Sequence, residues 1–319
     1  MHLANKTIVV TGCGSGIGSD FAKLARLQGA RVIGVDRNDP MLTLDGFVKI
    51  DLGDPAAIDA AMAQLPAHID ALANIAGVPG TAPAELVGRV NYLGLRHFTQ
   101  RVVERMGEGG SVVNIASILG AEWPARLEPH RELGATTSFE AGAAWLAEHP
   151  VPQETCYQYF KEALIVWTYT QSQKQFLERG IRMNCVAPGP VFTPILGDFV
   201  QMLGNERVEK DAHRMKRPAF SDEVAPVIAF LCSDASRWVS GINLPVDGGL
   251  NDADIIILPA FWDDFDNLMQ RYPQVLPWLR EQHARGAVLC AEASGVFWLA
   301  ESGLLDGKEA TTYWRFFAN

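Results

Sequence analysis

Residues Lys6–Asp36 read KTIVVTGCGSGIGSDFAKLARLQGARVIGVD. The run KTIVV is short and β-branched and predicts a buried strand ending at Thr11-Gly12. A glycine turn, GCGSGIG, follows. Next comes a helical pattern, SDFAKLARLQGA, with Phe21, Leu24, Ala25 and Leu27 as its apolar stripe and Gly29 as its end. Arg31–Val35 predicts a second strand, closed by Asp36. Strand, glycine turn, helix, strand, acid is the frame of a dinucleotide-binding unit. Gly12 permits the tight turn, Gly16 lets backbone approach a pyrophosphate, and Gly18 allows helix to pack closely on strand. Ser15 and Ile17 lie between these glycines and share the phosphate-facing turn. The helix N-terminus offers free N–H groups and a partial positive charge. Asp36, 24 positions after Gly12, is placed to accept from ribose hydroxyls and to repel a 2′-phosphate. That favours NAD over NADP, although the adjacent Arg37 could pair with such a phosphate.

The alternation continues outward. Phe47–Leu52 predicts a third strand, with Asp51 and Leu52 at the end where an adenine edge would be met. Pro55–Gln64 predicts a helix, Ile69–Ala73 the start of a fourth strand, Leu86–Glu104 a long helix carrying Asn91, and Ser111–Ala116 a fifth strand ending at Ser117. Strands alternating with helices predict an α/β fold: a doubly wound parallel sheet of Rossmann type, covered on both faces. Ligands bind such sheets beyond the carboxyl ends of the strands, the edge where Thr11, Asp36, Asp51, Asn74 and Ser117 all fall.

A second stretch, Cys156–Thr170 (CYQYFKEALIVWTYT), predicts a helix with Tyr157 and Lys161 one turn apart on one face. A cation beside a phenol favours the ionised phenol, which suits proton exchange with an alcohol or carbonyl. Chance pairs at this spacing are common on amphipathic helices, so the pair takes its meaning from the rest of the chain.

Composition sets limits. The chain has 319 residues, 48% of them hydrophobic, and a net charge of −10, which argues against nucleic acid and anionic membranes as partners. Its five cysteines show no metal-ligand spacing and no disulfide framework, and its seven histidines are dispersed. No metal is expected. The N-terminus lacks the long apolar stretch of a signal peptide, and no run is long enough to span a bilayer; a reduced cytoplasm is the expected compartment.

With TGCGSGIG, Asn74-Ile75-Ala76-Gly77, Asn91, Ser117 and Tyr157-x-x-x-Lys161 in place, the chain resembles the short-chain dehydrogenase/reductases from about Asn5 to Leu250. Arg182–Pro194 (RMNCVAPGPVFTP) looks like the family's sixth strand and nicotinamide loop, and Gly241–Gly249 (GINLPVDGG) like its last strand. The resemblance implies an NAD-dependent oxidoreductase. Tyr157 would be general acid/base, Lys161 would lower its pKa and hold the nicotinamide ribose, and Ser117 would position the substrate oxygen. Asn91 would link Lys161 to solvent through a water. Pro188, Gly189, Val191 and Thr193 would meet the nicotinamide side, while Asn74, Ala76 and Gly77 would shape the adenine side and the central sheet. The family's NNAG is NIAG here, and Cys13 in the turn reads as a buried inert thiol. Family members are commonly homodimers or homotetramers.

Ser117 and Tyr157 are 40 positions apart, a longer interval than in most of the family. The insertion, about 120–155, predicts helices around Ala125–Leu133 and Ser138–Glu148. Its Trp123, Phe139 and Trp145 are either core and interface residues or substrate contacts. It makes the chain look like a subgroup acting on coniferyl-type aromatic allylic alcohols or on 3α-hydroxysteroids and carbonyls, and it is expected to line the mouth of the pocket. Phe192–Met202 (FTPILGDFVQM) is expected to form a second, closing wall. A nucleotide-binding sensor without catalysis is the remaining alternative, disfavoured because Asn91, Ser117, Tyr157 and Lys161 are all present.

Residues 1–251 would form the dehydrogenase domain. Residues 252–319 predict a further alternation: strands at Asp254–Pro259 and Ala287–Ala291, a helix over Leu268–Arg285, and another opening at Gly295–Ala300. They resemble part of a class I glutamine-amidotransferase-like domain of AraC-type regulators. That family's nucleophilic cysteine position falls at Ala293, so a non-catalytic extension is expected, docked or poorly ordered.

Overall fold

The computed structural model describes residues 3–250, 255–261, 264–284 and 287–308. The chain divides into two compact units, Met1–Gly248 and Gly249–Asn319.

In the first unit β1 (Thr7–Thr11) has every residue from Ile8 onward buried, as a strand covered on both faces must. The glycine turn leads into α1 (Gly16–Leu27), and β2 (Arg31–Asp36) and β3 (Gly46–Lys49) follow in parallel. A Cβ added at Gly18 would lie 2.0 Å from the Gly12 carbonyl oxygen, so only glycine lets α1 sit so close to the end of β1. The third strand stops at Lys49, which leaves Asp51 and Leu52 on the following loop. There Asp54 caps α2 (Pro55–Ala61) by accepting from Ala56 N and Ala57 N, with proline at the first helical position. β4 (Ala71–Asn74) returns to the other side of β1.

The long helix expected at Leu86–Glu104 is three segments: α3 (Ala84–Gly88), a π-helical stretch Arg89–Gly94, and α4 (Leu95–Val103). The π-helical stretch brings Gly94 against the loop after β3. A Cβ there would lie 1.7 Å from the Leu52 carbonyl oxygen, and Arg89 donates from Nε and Nη2 to Gly53 O. β5 (Ser111–Ile115) follows, then the insertion, with α5 (Leu127–Ala135) and α6 (Phe139–Glu148). Ser138 caps α6 by accepting from Ala141 N at 3.1 Å. α7 (Cys156–Arg179) is the longest helix and ends at Gly180 in the left-handed region, φ 66°.

β6 (Arg182–Pro188), the short β7 (Val191–Phe192), α8 (Leu196–Leu203), α9 (Asn205–Met215), the short β8 (Ala219–Phe220), α10 (Ser221–Cys232) and β9 (Asn243–Val246) complete the unit. The main sheet runs β3-β2-β1-β4-β5-β6-β9 with all pairings parallel. Strand order reverses between β1 and β4, the switch point where such sheets open a crevice. Two apolar layers flank the sheet. One holds Phe98, Phe160, Leu164 and Trp167; the other holds Phe21, Val224 and Ile228.

The C-terminal unit pairs β10 (Ile255–Leu258) in parallel with β11 (Val288–Ala291). Asp254, expected to open the first of these strands, lies outside the described residues, as does Arg285. The expected Leu268–Arg285 helix is instead α11 (Phe265–Arg271) and α12 (Val275–Ala284), because Tyr272 precedes Pro273 and leaves the helical region. Ile256, Leu279, Trp298 and Leu299 form a small core with α13 (Val296–Glu301). Ala293 stands at the strand-to-helix turn with φ 47°, in the left-handed region, and Cys290 is exposed on β11.

Candidate active site

A cavity of about 590 Å³ lies along the carboxyl ends of the strands. Its floor is the glycine turn. Gly12 has φ 72°, and a Cβ on it would lie 2.7 Å from Ala76 N; Gly16 has φ 52°, and a Cβ on it would lie 2.9 Å from Thr193 Cγ2. Ser15 is the N-cap residue of α1, yet its side chain caps nothing and the first turn carries no acid. The helix N–H groups are thus left for an anion. Asp36 sits on the cavity wall with Oδ2 accepting from Gly14 N and Oδ1 from Asn38 N, both at 2.9 Å. Asp51 lines the same end and accepts from Gly53 N at 2.8 Å. A bare helix N-terminus, a turn open only to glycine and a fixed carboxylate fit a dinucleotide.

Tyr157 and Lys161, on the first turns of α7, face the cavity together with Ser117 at the end of β5. The Ser117 hydroxyl stands near enough to the phenol to favour its ionised form. Burial pushes the Tyr157 phenol well above the usual tyrosine range, and the Ser117 contact only partly opposes it. The Lys161 ammonium donates to Ile115 O at 2.6 Å and lies 5.5 Å from the phenol ring centroid. Burial pushes Lys161 down to about 8. Burial is thus the main cause acting on both groups, and the lysine is bound to backbone.

Most residues expected at the site line this cavity: Ser15, Gly16, Ile17, Gly18, Asp36, Arg37, Asp51, Leu52, Ala76, Gly77, Pro188, Gly189, Val191 and Thr193 with Ser117, Tyr157 and Lys161. Asn74 and Asn91 do not. Asn74 Nδ2 donates to Thr99 Oγ1 and Asn114 Oδ1, both at 2.8 Å, tying β4 to α4 and β5. Asn91, on the π-helical stretch, accepts from Val78 N at 2.8 Å and donates to Val78 O at 2.9 Å. Both ends of its amide thus hold the Gly77–Val78 loop.

The insertion is the largest correction. None of residues 120–155 lines the cavity. Phe139 is buried in the core beneath Arg89, Trp123 packs edge-on against Tyr169, and Trp145 stacks on His149. The insertion grips the far side of α7. Arg126 and His130 both bond the buried Glu162 carboxylate, and Arg96 of α4 donates to Leu133 O, Thr136 Oγ1 and Ser138 O.

The wall opposite Tyr157 is the segment after β7. Ile195, Leu196, Phe199 and Val200 line it, within the expected Phe192–Met202 stretch. Phe199 packs edge-on over the Tyr157 ring, centroids 4.9 Å apart, and Thr81 Oγ1 donates to Asp198 at 2.8 Å. Sequence reasoning missed α9, whose Val208, Asp211 and Met215 also line the cavity. Their spacing of three and then four residues is the helical-face signal that could have found them.

Two family matches bracket the first unit: "short chain dehydrogenase" over residues 6–127 and "Enoyl-(Acyl carrier protein) reductase" over 141–251. Neither extends beyond residue 251, and the amidotransferase-like reading of the C-terminal unit rests on sequence likeness alone. The chain is 62% identical over 250 residues to coniferyl-alcohol dehydrogenase of Pseudomonas sp. (strain HR199 / DSM 7063), covering 78% of this chain and 98% of that one. It is 30% identical to 3-alpha-hydroxysteroid dehydrogenase/carbonyl reductase of Comamonas testosteroni, covering 76% and 96%. Among solved structures, 3-alpha-hydroxysteroid dehydrogenase from Pseudomonas sp. B-0831, complexed with NADH, superposes with a TM-score of 0.64 at 28% identity, covering 76% and 96%. By its sheet, its cavity and these relatives, the chain belongs to the short-chain dehydrogenase/reductase family of oxidoreductases.

Proposed function

We propose that this protein oxidises an aromatic allylic alcohol of the coniferyl type to its aldehyde, with NAD as cofactor. The observation that carries the reaction type is the meeting of Ser117, Tyr157 and Lys161 in one cavity, opposite the apolar face of α8. The substrate class is taken from the coniferyl-alcohol dehydrogenase relative. The glycine turn and the α1 N-terminus would hold the pyrophosphate. Asp36, fixed by two backbone N–H groups, would take the adenosine ribose hydroxyls and disfavour a 2′-phosphate. Bound there, the cofactor supplies the hydride acceptor.

The chain's own residues handle the proton. Ser117 donates to the alcohol oxygen and sets it beside the Tyr157 phenol, and Tyr157 exchanges the hydroxyl proton. Burial raises the phenol, so removal of the alcohol proton should gain as pH rises. Phe199 and the α8 wall shield this exchange from water. Lys161, held on Ile115 O, would meet the nicotinamide ribose. The reading extends to a cytoplasmic homo-oligomer, and no described helix is long and apolar enough to cross a membrane.

A 3α-hydroxysteroid substrate is the second reading, favoured by the Comamonas relative. The test is the initial rate of NAD reduction with coniferyl alcohol against a 3α-hydroxysteroid. Turnover of the steroid alone overturns the substrate assignment. NAD binding without turnover of either overturns the catalytic one.

A further inference from the structure

The α8–α9 wall of the cavity is apolar along almost its whole length: Leu196, Phe199, Val200, Leu203, Val208 and Met215. Asp211 interrupts it. This residue is 7% exposed and lines the cavity, yet its carboxylate accepts a single hydrogen bond among the described residues, from Arg207 Nε to Oδ2 at 3.2 Å. The Arg207 side chain is 52% exposed, so it satisfies one oxygen from the solvent side. Oδ1 accepts nothing from the described residues. The other carboxylates of the cavity, Asp36 and Asp51, are spent on backbone N–H groups.

A carboxylate in an apolar wall is costly unless a donor reaches it. Its charge excludes anionic substrate groups and selects a neutral or cationic hydrogen-bond donor. The phenolic hydroxyl of a ring is such a donor, and a hydrogen bond to an ionised acceptor is about twice as strong as a neutral one. We propose that Asp211 is a specificity-determining residue: its free oxygen accepts a hydrogen bond from the ring hydroxyl of a hydroxylated aryl allylic alcohol. That bond holds the ring against the α8–α9 wall while the carbinol end meets Ser117 and Tyr157. The inference rests on the aryl allylic alcohol reading above and adds the feature by which substrates are told apart.

The test compares kcat/KM for 4-hydroxycinnamyl alcohol and cinnamyl alcohol, which differ only in the ring hydroxyl. The full-length protein should prefer the hydroxylated alcohol by roughly 10- to 100-fold, the range of a charge-assisted hydrogen bond. Asp211→Leu should bring the ratio close to one by losing rate on the hydroxylated alcohol alone. Asp211→Asn, which keeps shape and one acceptor, should fall between. Arg207→Gln, which removes only the solvent-side partner, should keep most of the preference. NADH affinity, measured by fluorescence, should be unchanged in all three, showing that they are folded. If the unmodified protein oxidises both alcohols equally well, the Asp211 proposal fails while the substrate class stands. It also fails if Asp211→Leu and Asp211→Asn slow both alcohols alike. If the unmodified protein oxidises neither alcohol, the substrate class and the proposal fall together.

Discussion

A buried acid anchors the insertion to α7, and Glu162→Gln tests that anchor. Glu162 has a fully buried side chain next to Lys161 in sequence. Its Oε2 accepts from Arg126 Nε at 2.7 Å and bonds His130 Nε2 at 2.9 Å, and its Oε1 accepts from Arg126 Nη2 and from Gln158 Nε2. Burial alone would raise the Glu162 carboxyl, but the bonds from His130 and Arg126 outweigh it and hold the group below its ordinary value. Glutamine has the same shape, removes the charge, and turns an NH2 toward groups that donate. Removing one partner of a buried pair costs about 3–5 kcal/mol. The Arg126 side chain is 36% exposed and can rehydrate, which brings the expected loss to about 2–4 kcal/mol.

The assay for this loss is urea denaturation of the full chain, with loss of NADH binding reporting the first unit. The pH sign is fixed by the depressed carboxyl. The stabilisation is complete above the ordinary glutamate pKa of about 4.3 and is lost as pH falls through the folded-state value. The unmodified protein should therefore lose stability on that acid limb, and Glu162→Gln should lose less. KM for cofactor should hold, because the insertion does not line the cavity. A stability change under about 0.5 kcal/mol, the range of an ordinary surface substitution, would refute the anchor.

Three other outcomes follow from the geometry. Gly18→Ala puts a Cβ 2.0 Å from the Gly12 carbonyl oxygen, so α1 must shift from the turn; NAD affinity should fall by roughly 100-fold or more, about 3 kcal/mol, by titration. Asp36→Ala releases Gly14 N and Asn38 N and removes the charge, so the ratio of kcat/KM for NAD over NADP should fall by roughly 10-fold or more; an unchanged ratio would mean that Arg37 governs the choice. Truncation after residue 251 should leave kcat within about 2-fold, since the cavity is lined by first-unit residues alone; loss of folding would make the second unit a structural part of the enzyme.

The sheet and the cofactor end were legible because glycines and short polar residues are forced there by backbone geometry. Gly12, Gly16 and Gly18 have no room for a side chain, and Asp36 terminates a strand whose hydrophobic run is unmistakable. Asn74 was legible as a residue of the central sheet and Asn91 as a special position, but not the partners of either. Their partners, Thr99, Asn114 and Val78, are set by packing across the sheet and the π-helical stretch, which no periodicity announces. Two tryptophans and a phenylalanine carry the same signal on a core face as on a pocket wall, so the sequence left both readings open, and the expected place of the insertion at the pocket mouth was not met. What decides is Glu162, which turns the insertion to the outer side of α7. Tyr-x-x-x-Lys fixes a shared face, while burial and the Ile115 carbonyl set the surroundings of the pair.

The central claim is that Tyr157 exchanges the proton of an aryl allylic alcohol while the cofactor site is built independently of it. Its most direct test is Tyr157→Phe, measured for NAD-dependent oxidation of coniferyl alcohol and for NADH affinity by fluorescence titration. Loss of a general acid/base is expected to lower kcat by roughly 100- to 10,000-fold, with NADH affinity within about 2-fold of the unmodified protein. A variant that keeps most of its turnover would contradict the account.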